Sequence, residues 1–249
     1  MHLLSLSLSD PAANLALDEA LLEAAEAGEI VGGVLRLWEH PRHFVVLGRS
    51  SRAQEEVDLH ACRRDGVAVL RRASGGATVV AGPGCLMYAV VVDASHDVRL
   101  PAIDAAHEFV LGRIAAALAP LAPGIQHSGT SDLTLPGGGE LPGERVKVSG
   151  NALRCRRRAV LYHGTLLYDF DLSLIPRWLR EPPRQPEYRQ RRPHGAFVAN
   201  LPTTRDALQQ ALIARWNAQQ PLTDWPSERV AELVAGRYSQ SLWRVADGA

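Results

Sequence analysis

The sequence predicts a mixed α+β fold, and three observations point to it. Helix-type patterning clusters at the start, the middle and the end of the chain instead of alternating regularly with strands, which argues against a doubly wound parallel sheet. Short apolar runs bounded by Gly and Pro read as strands between these helices. No long linker, low-complexity tract or internal repeat divides the 249 residues, 46% of them hydrophobic, so one main domain is expected.

The first helix runs from about Ala13 to Ala27. Leu15, Leu17, Ala20, Leu21 and Ala24 give it an apolar face, Ser9-Asp10-Pro11 supplies the start signal and Gly32-Gly33 the stop. Val34–Trp38 and Phe44–Leu47 follow as strands, with His40-Pro41-Arg42 between them as hairpin material. A short helix is expected over Val57–Arg64. Val67–Leu70 enters the Arg71–Gly84 segment as a strand and Leu86–Val92 leaves it as another. A long amphipathic helix spans Ala102–Leu118, bounded by Pro101, Pro120 and Pro123. Strands resume at Asp132–Leu135 and from Arg145 through Tyr168 at hairpin spacings, with a Gly-rich turn over Pro136–Pro142. Beyond the Pro/Arg-rich loop Pro182–Pro193, the tail from Thr204 to Arg237 is mostly helical, capped by Thr204.

Composition narrows the function. Lys and Arg total 27 against 27 Asp and Glu, so the net charge is zero and no basic excess marks a long nucleic acid as the partner. No apolar run approaches the roughly twenty residues that cross a bilayer, and no basic region opens a signal peptide, so no membrane partner and a cytoplasmic address are expected. Three cysteines, Cys62, Cys85 and Cys155, are too few and too odd for a disulfide framework. The basic residues are 26 Arg and a single Lys, Lys147. In so strong a bias toward Arg, a surviving lysine suits a place where a broad guanidinium fork will not fit between two oxygens; chance survival is the alternative.

The densest chemical cluster is Arg71-Arg72-Ala73-Ser74-Gly75-Gly76-Ala77-Thr78-Val79-Val80. Adjacent glycines let backbone amides approach an anion, and the arginines add charge-assisted hydrogen bonds; a tight turn with solvated arginines is the competing reading. In Val146-Lys147-Val148-Ser149-Gly150-Asn151, strand alternation sends Lys147 to the face opposite its two valines, into a cleft or into solvent. His163, followed by Gly164, sits in an apolar strand, where a histidine is more often a hydrogen-bonded core residue than an acid or base.

These blocks, together with Gly84-Cys85-Leu86-Met87-Tyr88, Ser131-Asp132-Leu133 and His163-Gly164-Thr165-Leu166-Leu167, resemble lipoate-protein ligases in order and spacing. Asn14-Leu15-Ala16 with Glu19, Leu37-Trp38-Glu39 and Gly48-Arg49 fit the amino-terminal part of the pattern, and the resemblance covers roughly residues 10–202. It implies a mixed, largely antiparallel central sheet flanked by helices, of the biotin/lipoate ligase catalytic-domain type. It also implies a two-step reaction: lipoate and ATP give lipoyl-AMP, and a lysine of a lipoyl carrier protein or domain takes the lipoyl group. Lys147 falls on the family's active-site lysine. Arg71, Arg72 and the Ala77–Val80 backbone would surround the nucleotide, Ser74-Gly75-Gly76 would wall the lipoyl tunnel, and Asp132 would organise nucleotide or Mg2+. Ser149, Gly150, His163 and Gly164 complete the expected binding set, with no dedicated protein metal site.

The sequence departs from the family at Ala77 (a third glycine there), Ala81-Gly82 (a His-Asp pair) and Ser50-Ser51 (Gln-Asn). Gly82-Pro83-Gly84 looks more like the related octanoyltransferases, which pass the acyl chain through a cysteine thioester. Cys155 is the candidate thiol, flanked by Arg154 and Arg156–Arg158, which could lower its pKa; an inert thiol at a strand end is the alternative. A non-catalytic carrier-binding homologue is a third reading. The expected organisation is a catalytic domain over 1–202 and a helical extension over 203–249 packed on it, in place of the small extra domain of the best-known ligases. A self-sufficient enzyme is favoured over one needing an accessory subunit. The arginines from Arg184 to Arg192 either close over the nucleotide, steer an acidic carrier, or pair with nearby carboxylates.

Overall fold

The computed structural model describes residues 1–93, 100, 102–138, 143–182, 185–246 and 248. Three sequence expectations lie partly outside these residues: the Pro101 boundary, the end of the Gly-rich turn (139–142), and Arg184 in the arginine-rich loop. The elements in order are β1 (His2–Ser5), α1 (Pro11–Ala27), β2 (Val34–Trp38), β3 (Phe44–Leu47), α2 (Ala53–Glu56), α3 (Leu59–Arg64), β4 (Ala68–Arg71), β5 (Val79–Ala81) and β6 (Cys85–Asp93). There follow α4 (Ile103–Leu118), β7 (Gln126–Ser128), β8 (Asp132–Pro136), β9 (Arg145–Cys155), β10 (Ala159–Leu167), α5 (Leu174–Trp178), α6 (His194–Phe197), α7 (Arg205–Trp216), β11 (Gln220–Pro221), α8 (Ser227–Leu233) and β12 (Arg244–Ala246).

The strands form two sheets. The larger has the order β11-β1-β2-β6-β10-β9-β8-β7, and its pairs are antiparallel except where β1 meets β2 and β11. The smaller has the order β12-β4-β3-β5 with one parallel pair, β3 with β4. Mixed and largely antiparallel, the architecture is the expected one. Period-2 alternation splits the large sheet's side chains between two cores. Met87, Ala89 and Val91 of β6 join α1 and the small sheet, whereas Leu86, Tyr88, Val90 and Val92 join α4 and α7 on the opposite face.

Local chemistry explains most of the helix boundaries. Asp10 caps α1, its carboxylate accepting the Ala12 amide, and Pro11 opens the first turn. The stop comes earlier than Gly32-Gly33, at Gly28 with φ +80°, whose amide closes on Ala24 and Ala25. Thr204 caps α7 as expected. The helix expected over Val57–Arg64 forms from Leu59, because Val57 is extended and bridges to Leu179, and an unexpected short helix, α2, precedes it.

The hairpin expected through His40–Arg42 does not form. β2 pairs with β1 and β6 in the large sheet, β3 with β4 and β5 in the small one, so the segment between them crosses from sheet to sheet. Spacing alone cannot separate a tight turn from such a crossing, since both need Pro and polar residues. The tail does more than add helices: β11 extends the large sheet, β12 extends the small one, α7 packs on α4 and α8 on α1. Strands as short as two residues, like β11, carry no readable alternation.

Candidate active site

The two sheets and the loop after α5 enclose a cleft of about 400 Å³. Leu15, Val46, Met87, Leu167, Ile175 and Leu179 make one part of its wall apolar, and Arg72, Lys147, Arg180 and Arg189 bring positive charge to the rest. Such a lining suits a ligand with an aliphatic arm and an anionic head.

Lys147 lies on β9, with its Nζ 2.7 Å from Oδ1 of Asp132 at the start of the neighbouring β8. Its side chain folds over Gly150, where a Cβ would stand 3.0 Å from both Cε and Nζ, so a larger residue there would push the ammonium aside. Val148 is buried beneath while the lysine remains partly open, as alternation requires. The second oxygen of Asp132 accepts the Tyr188 hydroxyl at 2.7 Å, and burial together with the Asp132 charge pushes that phenol's pKa up. The backbone oxygen of Lys147 accepts the Ala199 amide at 2.9 Å, pinning the returning segment above the strand. One lysine is thereby fixed at both ends.

Asn151 organises the floor. Its Oδ1 accepts from the Tyr88 hydroxyl at 2.5 Å and the Ser149 hydroxyl at 3.1 Å, and its Nδ2 donates to the Ser131 carbonyl. A Cβ on Gly164 would fall 1.8 Å from that same Oδ1, so packing alone demands glycine beside His163.

The 71–80 segment divides by role. Arg72, Ala77, Thr78, Val79 and Val80 line the cleft; Arg71, Ser74, Gly75 and Gly76 do not. Arg71 points away, donating to the carbonyls of Gly48, Arg49, Ser51 and Leu242, and so ties the segment to the tail. Arg72 donates to the carbonyls of Val46, Gly75 and Ala77 and to the Ser74 hydroxyl, and burial lowers its pKa to about 10. Glu56 closes the far end, one carboxylate oxygen accepting the Thr78 amide and hydroxyl and the Ser51 hydroxyl.

Of the other expected residues, Asp132, Ser149, Gly150, His163 and Gly164 all reach the cleft wall. Glu56, Tyr188, Asn151 and Asp18 were not anticipated as site residues. The adjacent carboxylates Asp18-Glu19 amid the apolar run Leu15–Leu22 are the available signal. Cys155 is absent from the wall, and burial raises its thiol pKa. Its arginine neighbours do not activate it: Arg154 pairs with the buried Glu19, and Arg156 faces Glu23 at 3.9 Å. Among the described residues no group of three His, Cys, Asp or Glu side chains is placed to hold a metal. Two lining carboxylates, Asp132 and Glu56, fit a magnesium ion that arrives on phosphates and keeps several waters.

The model of the lipoyl protein ligase A/B catalytic domain matches residues 10–215. The chain belongs to that family. A relative in Aeropyrum pernix named for lipoate-protein ligase A is 35% identical over 167 residues, covering 67% of this chain and 57% of its own length. Octanoyltransferase LipM of Geobacillus kaustophilus is 29% identical over 181 residues, covering 66% and 64%. The chain thus spans about half to two thirds of the length of these relatives. Lipoate-protein ligase A subunit 1 of Thermoplasma acidophilum aligns more fully, at 26% identity over 93% of this chain and 91% of its own. The solved bi-partite lipoate protein ligase of T. acidophilum shares the fold at a TM-score of 0.79 and 24% identity, covering 98% of this chain and 95% of that one. Among the described residues of this family member, no helix is long and apolar enough to cross a membrane.

Proposed function

We propose that the protein is an ATP-dependent lipoate-protein ligase that forms lipoyl-AMP and transfers the lipoyl group to a lysine of a lipoyl carrier domain. The observation that carries this reading is the placement of Lys147, the only lysine in the chain, in a cleft that is apolar on one side and cationic on the other. Solved proteins of this fold hold lipoic acid in one case and ATP in another, which supports the substrate pair.

In the first step a lipoate carboxylate oxygen attacks the α-phosphorus, the bond to the bridging oxygen breaks, and pyrophosphate leaves. The Lys147 ammonium, compact enough to lie between carboxylate and phosphate, holds the two in attack geometry and opposes charge building on phosphorus. Arg72 and the Ala77–Val80 segment bind the nucleotide, and the Ser74-Gly75-Gly76 turn backs the acyl arm. Asp132 would share Mg2+ with the phosphates, where the ion would neutralise charge on the leaving group. In the second step the carrier amine attacks the acyl carbonyl, AMP departs, and the amine proton passes to solvent. We further assign residues 1–202 as the catalytic unit and 203–249 as an extension integral to it.

The likeness to LipM favours one rival, a thioester-forming octanoyltransferase. No cysteine stands among the described lining residues, which weighs for the ligase. Release of pyrophosphate on mixing lipoate and ATP with the protein, joined by its accessory polypeptide if it needs one, tests the proposal, and modification of an apo-carrier from octanoyl thioester without ATP would overturn it. The near full-length likeness to a protein named subunit 1 supports a need for an accessory polypeptide. Use of synthetic lipoyl-AMP by the purified chain, with adenylate formation only after a second protein is added, is the expected result on that reading; lipoylation with ATP, magnesium and lipoate alone would show self-sufficiency.

A further inference from the structure

A row of side chains across the large sheet carries a polar chain that the proposed chemistry does not use. Arg36 on β2, Ala89 on β6 and His163 on β10 stand side by side in register and so share one face. Ala89 leaves a gap between the two larger residues, and Asp18 of α1 enters it. Its Oδ1 lies 2.5 Å from Arg36 Nη1 and its Oδ2 lies 2.8 Å from His163 Nδ1. Arg36 and Asp18 are almost wholly buried, and Asn14 holds the guanidinium from the other side.

The chain continues into the small sheet. His163 Nε2 lies 2.6 Å from the Ser74 hydroxyl, and Arg72 Nε donates to that hydroxyl at 3.0 Å. For a neutral imidazole, donor counting gives each link one direction. The carboxylate can only accept, so His163 donates from Nδ1; its Nε2 then accepts the Ser74 proton, and the Ser74 oxygen accepts from Arg72. The order matches a Ser-His-Asp acyl-transfer triad. Ser74 is nevertheless 1% exposed, lies behind the cleft wall and already accepts from a cation, so it is a link and not a nucleophile. At the end of the chain Arg72 gathers the carbonyls of Gly75 and Ala77, which sets the path of the loop.

We propose that Asp18 and His163 are positioning residues: acting through the Ser74 hydroxyl, they fix the Arg72 guanidinium and with it the 74–77 loop that borders the cleft. The ligand side of this inference rests on the reading of the cleft as a lipoate and ATP site. Neither Asp18 nor Ser74 lines the cleft, so binding lost on their substitution is not a lost contact.

The test compares wild type with Ser74→Ala, Asp18→Asn and the double variant by calorimetric binding of ATP and of lipoate, and by amide hydrogen exchange. Ser74→Ala is the conservative arm should Asp18→Asn fold poorly with Arg36 left uncompensated. The expected result is a rise in dissociation constant of about tenfold for each single variant, no further rise in the double, and faster exchange confined to the 74–78 amides. Unchanged exchange at 74–78 in folded Ser74→Ala, or losses that simply add in the double variant, would overturn the inference. Failure of wild type to bind either ligand would overturn the ligase reading instead, and the exchange comparison would still decide whether the brace exists.

Discussion

The ammonium of Lys147 and the carboxylate of Asp132 are in contact at 2.7 Å, on adjacent strands beside a register shift between Leu133 and Thr134. The irregularity sets the two side chains against each other at the cleft wall, where the pair neutralises itself until an anionic ligand competes for the lysine.

Replacing Lys147 by Arg keeps the charge but not the shape. The fork is too broad to sit over Gly150 and between two oxygens, so pyrophosphate release should fall at least about a hundredfold with thermal stability nearly unchanged. Near wild-type turnover in a steady-state pyrophosphate assay would remove Lys147 from its assigned role.

Tyr188 holds the short helical turn Glu187–Arg189 to Asp132, and Tyr188→Phe deletes that bond alone. A hydrogen bond to a charged group contributes on the order of 1.5–3 kcal/mol, so local opening should become about tenfold or more easier. Limited proteolysis within 182–193 should speed up accordingly, with global unfolding little changed.

Cys155→Ser should retain carrier modification with ATP and lipoate, because an acyl adenylate needs no thiol. The site is only partly buried, so the stability cost should stay within about 1 kcal/mol. Mass spectrometry finding an acyl chain on Cys155 of the wild-type protein would hand the reaction to the thioester route.

Glu19 is completely buried and binds Arg154 of β9, Arg237 and the Tyr238 hydroxyl, which joins the tail to α1. Glu19→Ala strands these partners and should cost about 3 kcal/mol in denaturant unfolding. If the tail is integral, one cooperative transition persists; an early separate transition of the tail would mark it as an independent appendage.

Burial holds His43, His107 and His194 below the ordinary imidazole pKa. As pH falls, the unfolded chain therefore takes up protons before the folded one does, and these groups lower stability from about pH 6.5 downward, with no effect of theirs above about pH 7.5. Melting temperatures at pH 7.5 and 5.5 should differ in that direction, and His107→Asn should narrow the gap.

Much of this is legible in the amino-acid sequence. The lone lysine and the strand alternation around Val146–Val148 point to the cleft, because each depends on local chemistry that spacing reveals, whereas Ser74-Gly75-Gly76, expected to wall it, stands behind the wall. The crossing at His40–Arg42 was not legible, since a turn and a sheet-to-sheet passage use the same residues. Arg71 and Arg72 look alike in sequence yet face opposite ways, one bracing the tail and one lining the cleft, as successive residues leaving a strand do. Asp18 was hidden for a different reason. Its partners lie 18 and 145 positions away, and no window along the chain holds all three.

Ala89 carries no chemistry, yet the row Arg36-Ala89-His163 makes its smallness a requirement. A methyl leaves the slot through which the helix carboxylate reaches both neighbours; a valine or leucine there would occupy it with branches and push the helix off the sheet. Substitution at this position should therefore look like a catalytic defect in an activity screen while touching no polar atom, and an inspection limited to reactive side chains would pass it over.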